Sequence, residues 1–218
     1  MKLTCIDLFA GCGGLSLGFE RAGFETVFVN ELHPVAMETY VRNRPGSLVS
    51  DRRNQLNDIL TLTQSTDELD AFARRMRSEH GQIDVVVGGP PCQGYSGIGH
   101  RRSFDITKEQ IPSNHLYREM ARLVAAVAPK AFVFENVKGL LNSKWTPDGT
   151  NGEIWADVRL AFSRVEARVK GRQFGYTIQP ALLHAKDYGV PQNRPRVILV
   201  GLRDDVVPAV LPKGVANG

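Results

Sequence analysis

Short β-branched or apolar runs alternate with longer amphipathic segments along the chain, and this alternation constrains the fold more than any other feature. Residues 3–9 read as a buried strand that runs into Gly11, Gly13 and Gly14, after which residues 15–22 carry helical spacing. Residues 26–30 form a second strand ending at Glu31. Residues 33–42 then read as a helix, stopped by Asn43-Arg44-Pro45-Gly46. A helix is predicted over 67–79, capped by Ser65 or Thr66 and ended by Gly81. Residues 83–87 form a β-branched run ahead of Gly88-Gly89-Pro90-Pro91. Residues 114–128 read as a long amphipathic helix stopped at Pro129, and 131–134 as a strand ending at Glu135. Beyond the polar stretch 142–152, the spacing predicts a helix over 153–172 and strands over 177–183 and 196–201. Strands and helices alternating in this way predict an α/β fold with a doubly wound, mostly parallel sheet.

A chain of 218 residues suits one domain, here expected over residues 1–206, with 207–218 as a tail or linker. No apolar run approaches the roughly 18 residues that a membrane span needs, and no membrane partner is expected. The three cysteines, Cys5, Cys12 and Cys92, are odd in number and lack CxxC spacing. That argues against a disulfide scaffold or a cysteine-based metal site, and makes the cytoplasm the default compartment. The net charge of +4 permits an anionic partner without requiring one.

In a doubly wound sheet, ligands bind beyond the carboxyl ends of the strands. The residues suited to chemistry fall at those ends: the glycine turn after the first strand, Glu31 after the second, Pro90-Pro91-Cys92 after the fourth and Glu135 after the fifth. Glycines at a strand-to-helix turn let the backbone approach a ligand and aim helix N–H groups at it. An acid about 20 residues later is placed to accept ribose hydroxyls, so a nucleoside-bearing cofactor is expected. Cys92 follows two stiffening prolines, whereas Cys5 lies within a strand and Cys12 within the turn. Arg194 and Arg196, two apart on an extended segment, point the same way and suit a phosphate or a base carbonyl. Taken singly, each motif also has an ordinary reading as a tight turn, a solvated strand-end acid or an exposed arginine pair.

Together and in this order, the segments resemble the cytosine-C5 DNA methyltransferases: DLFAGCGGLSLGFERAGF at 7–24, Asn30-Glu31, GGPPCQGYS at 88–96, Glu135-Asn136-Val137, and YGVPQNRPRVILVG at 188–201. The resemblance implies the Rossmann-like fold of S-adenosylmethionine-dependent methyltransferases. It implies transfer of a methyl group from S-adenosyl-L-methionine to carbon 5 of a flipped cytosine in double-stranded DNA, the activity of restriction-modification systems. It implies Cys92 as nucleophile, Glu135 as the partner of N3 and the exocyclic amine, Arg196 at O2 and Arg194 close by. Phe9, Ala10, Gly11 and Gly13 map onto the methionine half of the cofactor and Glu31 onto its ribose. Asp58 maps onto the adenine amine, with Asp51 as a rival, and Leu32, Ile59, Pro90 and Leu116 onto further cofactor contacts. Gln93, Ser96, Arg101 and Arg102 are expected at DNA, in a basic loop that also holds Lys108.

The family's target-recognition region and its last motifs are not found. The chain is therefore expected to be a truncated enzyme, a damaged gene product or one half of an enzyme completed by a second polypeptide, with weak or absent activity alone. Two other readings stay open: a tRNA cytosine-C5 methyltransferase, or a catalytically silent nucleic-acid-binding fragment.

Overall fold

The β-branched runs assemble side by side because their two-residue alternation gives each strand two apolar faces to cover. In the computed structural model of the chain, the described residues are 2–91 and 107–206. The strands are β1 (Leu3–Leu8), β2 (Phe24–Asn30), β3 (Gln55–Leu56), β4 (Val85–Gly88), β5 (Ala131–Val137), β6 (Ala167–Val169), β7 (Arg172–Phe174), β8 (Tyr176–His184) and β9 (Pro195–Arg203). Seven of them form one sheet in the order β3-β2-β1-β4-β5-β9-β8, and β6 and β7 pair separately. From β3 to β5 every pairing is parallel, while β9 runs antiparallel to both β5 and β8. The strand order reverses between β1 and β4, which opens a crevice at their carboxyl ends.

The helices are α1 (Gly14–Arg21), α2 (Pro34–Arg42), α3 (Leu60–Thr63), α4 (Thr66–His80), α5 (Tyr117–Val127) and α6 (Glu153–Ser163). The main core joins Ile6, Leu8, Phe72, Met76, Met120, Leu123, Phe132, Phe134 and Phe162, and so packs α4, α5 and α6 on one face of the sheet. On the other face Leu15 and Phe19 of α1 cover Cys5, Val85 and Val87. Met37 and Tyr40 of α2 pack with Val29 and Val49. Ser65 caps α4 by accepting the Glu68 N–H at 3.3 Å, and Gly81 ends the helix with φ 72°.

The α/β sheet is as expected, with three local corrections. The helix predicted over 153–172 stops at Ser163 and gives way to the β6–β7 hairpin. Its turn residues, Lys170 and Gly171, have φ 50° and 77°, the left-handed pair that a two-residue hairpin demands. The helix predicted over 114–128 begins at Tyr117, because Pro112–His115 forms a separate 3-10 turn ahead of it. Glu135 lies within β5 and not after it, because pairing with β9 extends the strand to Val137. β9 is antiparallel because the connection over residues 185–194 is too short for a crossover helix. The expected tail, 207–218, lies outside the described residues. Among the described residues no helix is long and apolar enough to cross a membrane.

Candidate functional site

The glycine turn bends sharply after β1. Gly11 and Gly13 have φ 56° and 87°, and Phe9, which carries a side chain, is held at φ 55°. A non-glycine residue in that region is strained by about 1–3 kcal/mol and persists only where its surroundings impose it. The constraint here comes from the neighbouring strand ends. Asn30 accepts the Phe9 N–H on Oδ1 at 3.3 Å and the Ala10 N–H on its backbone oxygen at 3.0 Å. The Asn30 Nδ2 donates onward to the carbonyls of Leu56 (3.1 Å) and Asn57 (2.8 Å). Glu31 Oε2 accepts the Gly11 N–H at 2.7 Å and its Oε1 the His33 N–H at 2.7 Å. Both Glu31 oxygens are thus oriented by backbone, and each keeps a lone pair for a further donor.

Beside this turn lies a cleft of about 430 Å³, lined among others by Asp7, Phe9, Ala10, Gly89, Glu135 and Arg194. Alternation along the strands explains the gathering. Cys5 and Asp7 of β1 share a face, as do Val133 and Glu135 of β5, and both face the α1 side. Asp7 is fully buried, and neither carboxyl oxygen has a hydrogen-bond partner. Burial pushes its pKa up to about 7, partly offset by Ser16 and Arg44. Asp7 thus lies in the floor of the cleft, with the oriented Glu31 carboxylate one strand away.

At the far wall, Arg196 Nε meets Glu135 Oε1 at 2.7 Å, with the two side chains 21% and 28% exposed. The β5–β9 register brings them together: Arg196 lies opposite Val137, one step along the same face from Glu135. Gly89 leaves room for the carboxylate, since a Cβ there would stand 3.1 Å from Glu135 Oε2. Asn136, buried, donates its Nδ2 to the Pro90 carbonyl at 3.1 Å and so fixes the chain two residues ahead of Cys92. Arg194, exposed, reaches the same cleft from the segment before β9.

The structure therefore brings Phe9, Ala10, Glu135 and Arg194 to one cleft, with Gly11 and Gly13 in the adjoining turn, Glu31 bonded to that turn and Arg196 paired with Glu135. Asp58 follows β3 at the same sheet edge and accepts the Leu60 N–H at 3.0 Å. Asp51 precedes β3, away from that edge, and is paired with Arg53 at 2.9 Å, so topology favours Asp58 over its rival. Leu32 is 66% exposed beside Glu31. Ile59 is a core residue, and Leu116 is partly buried against the same core. Pro90 is buried and contributes its held carbonyl. Lys108 opens a 3-10 turn tied by its N–H to the Trp145 carbonyl at 3.1 Å. Cys92, Gln93, Ser96, Arg101 and Arg102 lie outside the described residues. Among the described residues no group of three His, Cys, Asp or Glu converges as a metal site.

Asp7, Asn30 and Asn136 were not singled out by sequence reasoning. Asp7 had a usable signal, because an acid inside an otherwise apolar strand is rarely buried without purpose. The two asparagines gave none beyond their adjacency to the acids.

The model of the C-5 cytosine-specific DNA methylase family matches residues 3–214. The type II methyltransferase M1.HphI of Haemophilus parahaemolyticus is 37% identical over 204 residues, which cover 94% of this chain and 47% of that protein. The type II methyltransferase M.AquIA of a Picosynechococcus species is 33% identical, with 93% of this chain and 73% of that protein covered. Among solved structures, a putative DNA modification methyltransferase encoded within an Escherichia coli prophage superposes with a TM-score of 0.65 at 30% identity, covering 93% of this chain and 47% of that one. The S. pombe Dnmt2 methyltransferase, at 17% identity and a TM-score of 0.58, shares the fold. The chain spans about half the length of most of these relatives.

Proposed function

The chain belongs to the C-5 cytosine-specific DNA methylase family, and from that premise we propose that it carries the catalytic half of a DNA (cytosine-5-)-methyltransferase that uses S-adenosyl-L-methionine. The observation that carries this reading is the meeting of the Glu135–Arg196 pair with the glycine turn and the unpaired Asp7 around one cleft. When bound, the donor supplies a methyl group activated by its positively charged sulfur. The residues that would hold it are the turn from Phe9 to Gly13, Glu31 at the ribose and Asp58 toward the adenine.

Carbon 5 of cytosine is a weak nucleophile because its electrons belong to a conjugated ring. Addition of the Cys92 thiolate at carbon 6 breaks that conjugation and moves an electron pair toward carbon 5. Glu135, in contact with N3 and the exocyclic amine, gives a proton to N3 as the thiolate adds, and so takes up the negative charge that the addition places on the ring. Arg196 orients the Glu135 carboxyl group and reaches the base's O2, with Arg194 beside it. After methylation, the carbon-5 proton passes to water, its bonding pair reforms the carbon 5–carbon 6 double bond, and the carbon–sulfur pair leaves with the thiolate, so the cysteine is regenerated. Because these atoms are hidden in a duplex, the base is swung out of the stack first. Gln93, Ser96, Arg101 and Arg102 are assigned to DNA contacts. Reading of the target sequence is assigned to the additional length that the relatives carry.

The test uses duplex DNA containing 5-fluorocytosine, which retains the adduct because fluorine cannot leave as the proton does. Labelled methyl donor is supplied to the chain alone and to the chain supplemented with the relatives' additional length. We expect weak or absent transfer alone, and a stable protein–DNA adduct in the supplemented sample that Cys92→Ser abolishes. An adduct that survives Cys92→Ser, or transfer to tRNA in place of DNA, overturns the proposal.

A further inference from the structure

The Asn43-Arg44-Pro45-Gly46 segment reads in the sequence only as a helix stop. In the structure Arg44 folds back from the end of α2 beneath the glycine turn, with its side chain 8% exposed. Its Nη2 donates to the Gly13 carbonyl at 3.0 Å and to Ser16 Oγ at 3.1 Å. Nε donates to Glu20 Oε1 at 2.7 Å, and Nη1 to the Tyr40 carbonyl at 3.3 Å. The guanidinium lies 3.9 Å from the centre of the Tyr40 ring, whose hydroxyl donates to Ser16 Oγ at 2.9 Å. A Cβ on Gly13 would collide with Arg44 Nη1 at 2.6 Å and with the Tyr40 ring at 2.7 Å. The back of the turn is therefore packed solid, while Ala10 and Gly14 on its front line the cleft.

We propose that Arg44 is a positioning residue for the methyl donor. It anchors the Gly13 carbonyl behind the turn and so holds residues 11–14 in the shape against which the donor's amino-acid half packs. A planar fork with several donors is needed to reach Gly13, Ser16 and Glu20 at once; a lysine ammonium, a single point, cannot span all three. The inference rests on the methyl-donor reading above.

The test is calorimetric binding to the full chain of two probes: S-adenosylhomocysteine, which has the amino-acid tail, and 5′-methylthioadenosine, which lacks it. Arg44→Met is expected to weaken S-adenosylhomocysteine by about tenfold or more, the loss of charged hydrogen bonds expressed as affinity. It leaves 5′-methylthioadenosine unchanged. Arg44→Lys is expected to recover part of the loss, and Arg42→Met, an exposed neighbour paired with Glu38, to change neither. Unchanged affinity in Arg44→Met, an equal loss for both probes, or unfolding of both Arg44 variants assigns Arg44 a merely structural role and overturns the inference. If the unaltered chain binds neither probe, the donor reading falls and takes this inference with it. A chain that binds both probes while its Arg44 variants behave as wild type sinks the inference alone.

Discussion

Asp7 shows how one buried side chain couples the site to pH. Its folded pKa stands at about 7, raised first by burial, against 3.8 for the free group. The folded protein thus keeps a proton that the unfolded chain releases. The associated stability is fully present below about pH 4 and is lost as pH rises through 7, amounting to about 4 kcal/mol. Asp7→Asn, neutral throughout, is expected to flatten this decline, measured as the difference between variants in denaturant unfolding at pH 5 and pH 8. His80 works in the opposite sense, since burial lowers its pKa, and it cancels in that difference because both proteins carry it. In the proposed reaction Glu135 acts on rate instead. In the supplemented enzyme, Glu135→Gln keeps the shape beside Arg196 but has no acidic proton to give N3, and a fall in kcat of about 100-fold or more is expected. Single-turnover methyl transfer with the donor at saturation checks it; an unchanged kcat removes Glu135 from the reaction.

At the scale of elements, β9 sets the site. It brings Arg196 to Glu135, and its buried face carries Val197 and Leu199 into the core. Gly201 on that face lies against the Phe132 ring so closely that an added Cβ would overlap it. Gly201→Ala is therefore expected to destabilise the fold by about 1–3 kcal/mol through overpacking, read as a lower denaturant midpoint with an unchanged slope. Phe132→Leu in the same protein should recover part of the loss by clearing the ring. The glycine turn is held in a different way, by hydrogen bonds it donates to Asn30 and Glu31 at the end of β2 and by Arg44 just beyond α2.

Over the whole molecule, the sheet is unequally covered. Phe132, Phe134, Val197 and Leu199 are buried beneath the helices, whereas Val133, Ile198, Val200 and Leu202 on the opposite face are only half-buried. Tyr188 and Val190 beyond β8 are 66% and 45% exposed. Apolar surface of this kind drives association. The chain alone is expected to self-associate, and Ile198→Thr with Val200→Thr to lower its weight-average mass in sedimentation while the fold, followed by circular dichroism, persists. A monomeric unaltered chain at the same concentration would refute the expectation.

The sequence by itself determined the strand-to-helix alternation, the glycine turn, and the placing of Glu31, Pro90 and Glu135 near strand ends. Each of these is written locally, in β-branched runs, in glycines that permit left-handed backbone and in prolines that stop it. The Lys170–Gly171 turn was also local, yet it was masked because the apolar residues around it keep a helical spacing. Only the tertiary structure decided that β9 runs antiparallel, that Arg196 pairs with Glu135, that Asp58 follows a short strand that Asp51 precedes, that Ile59 belongs to the core, and that Arg44 lies beneath the turn. Those outcomes depend on strand order and register between residues far apart in the chain, and such contacts leave no periodic trace in the sequence that makes them.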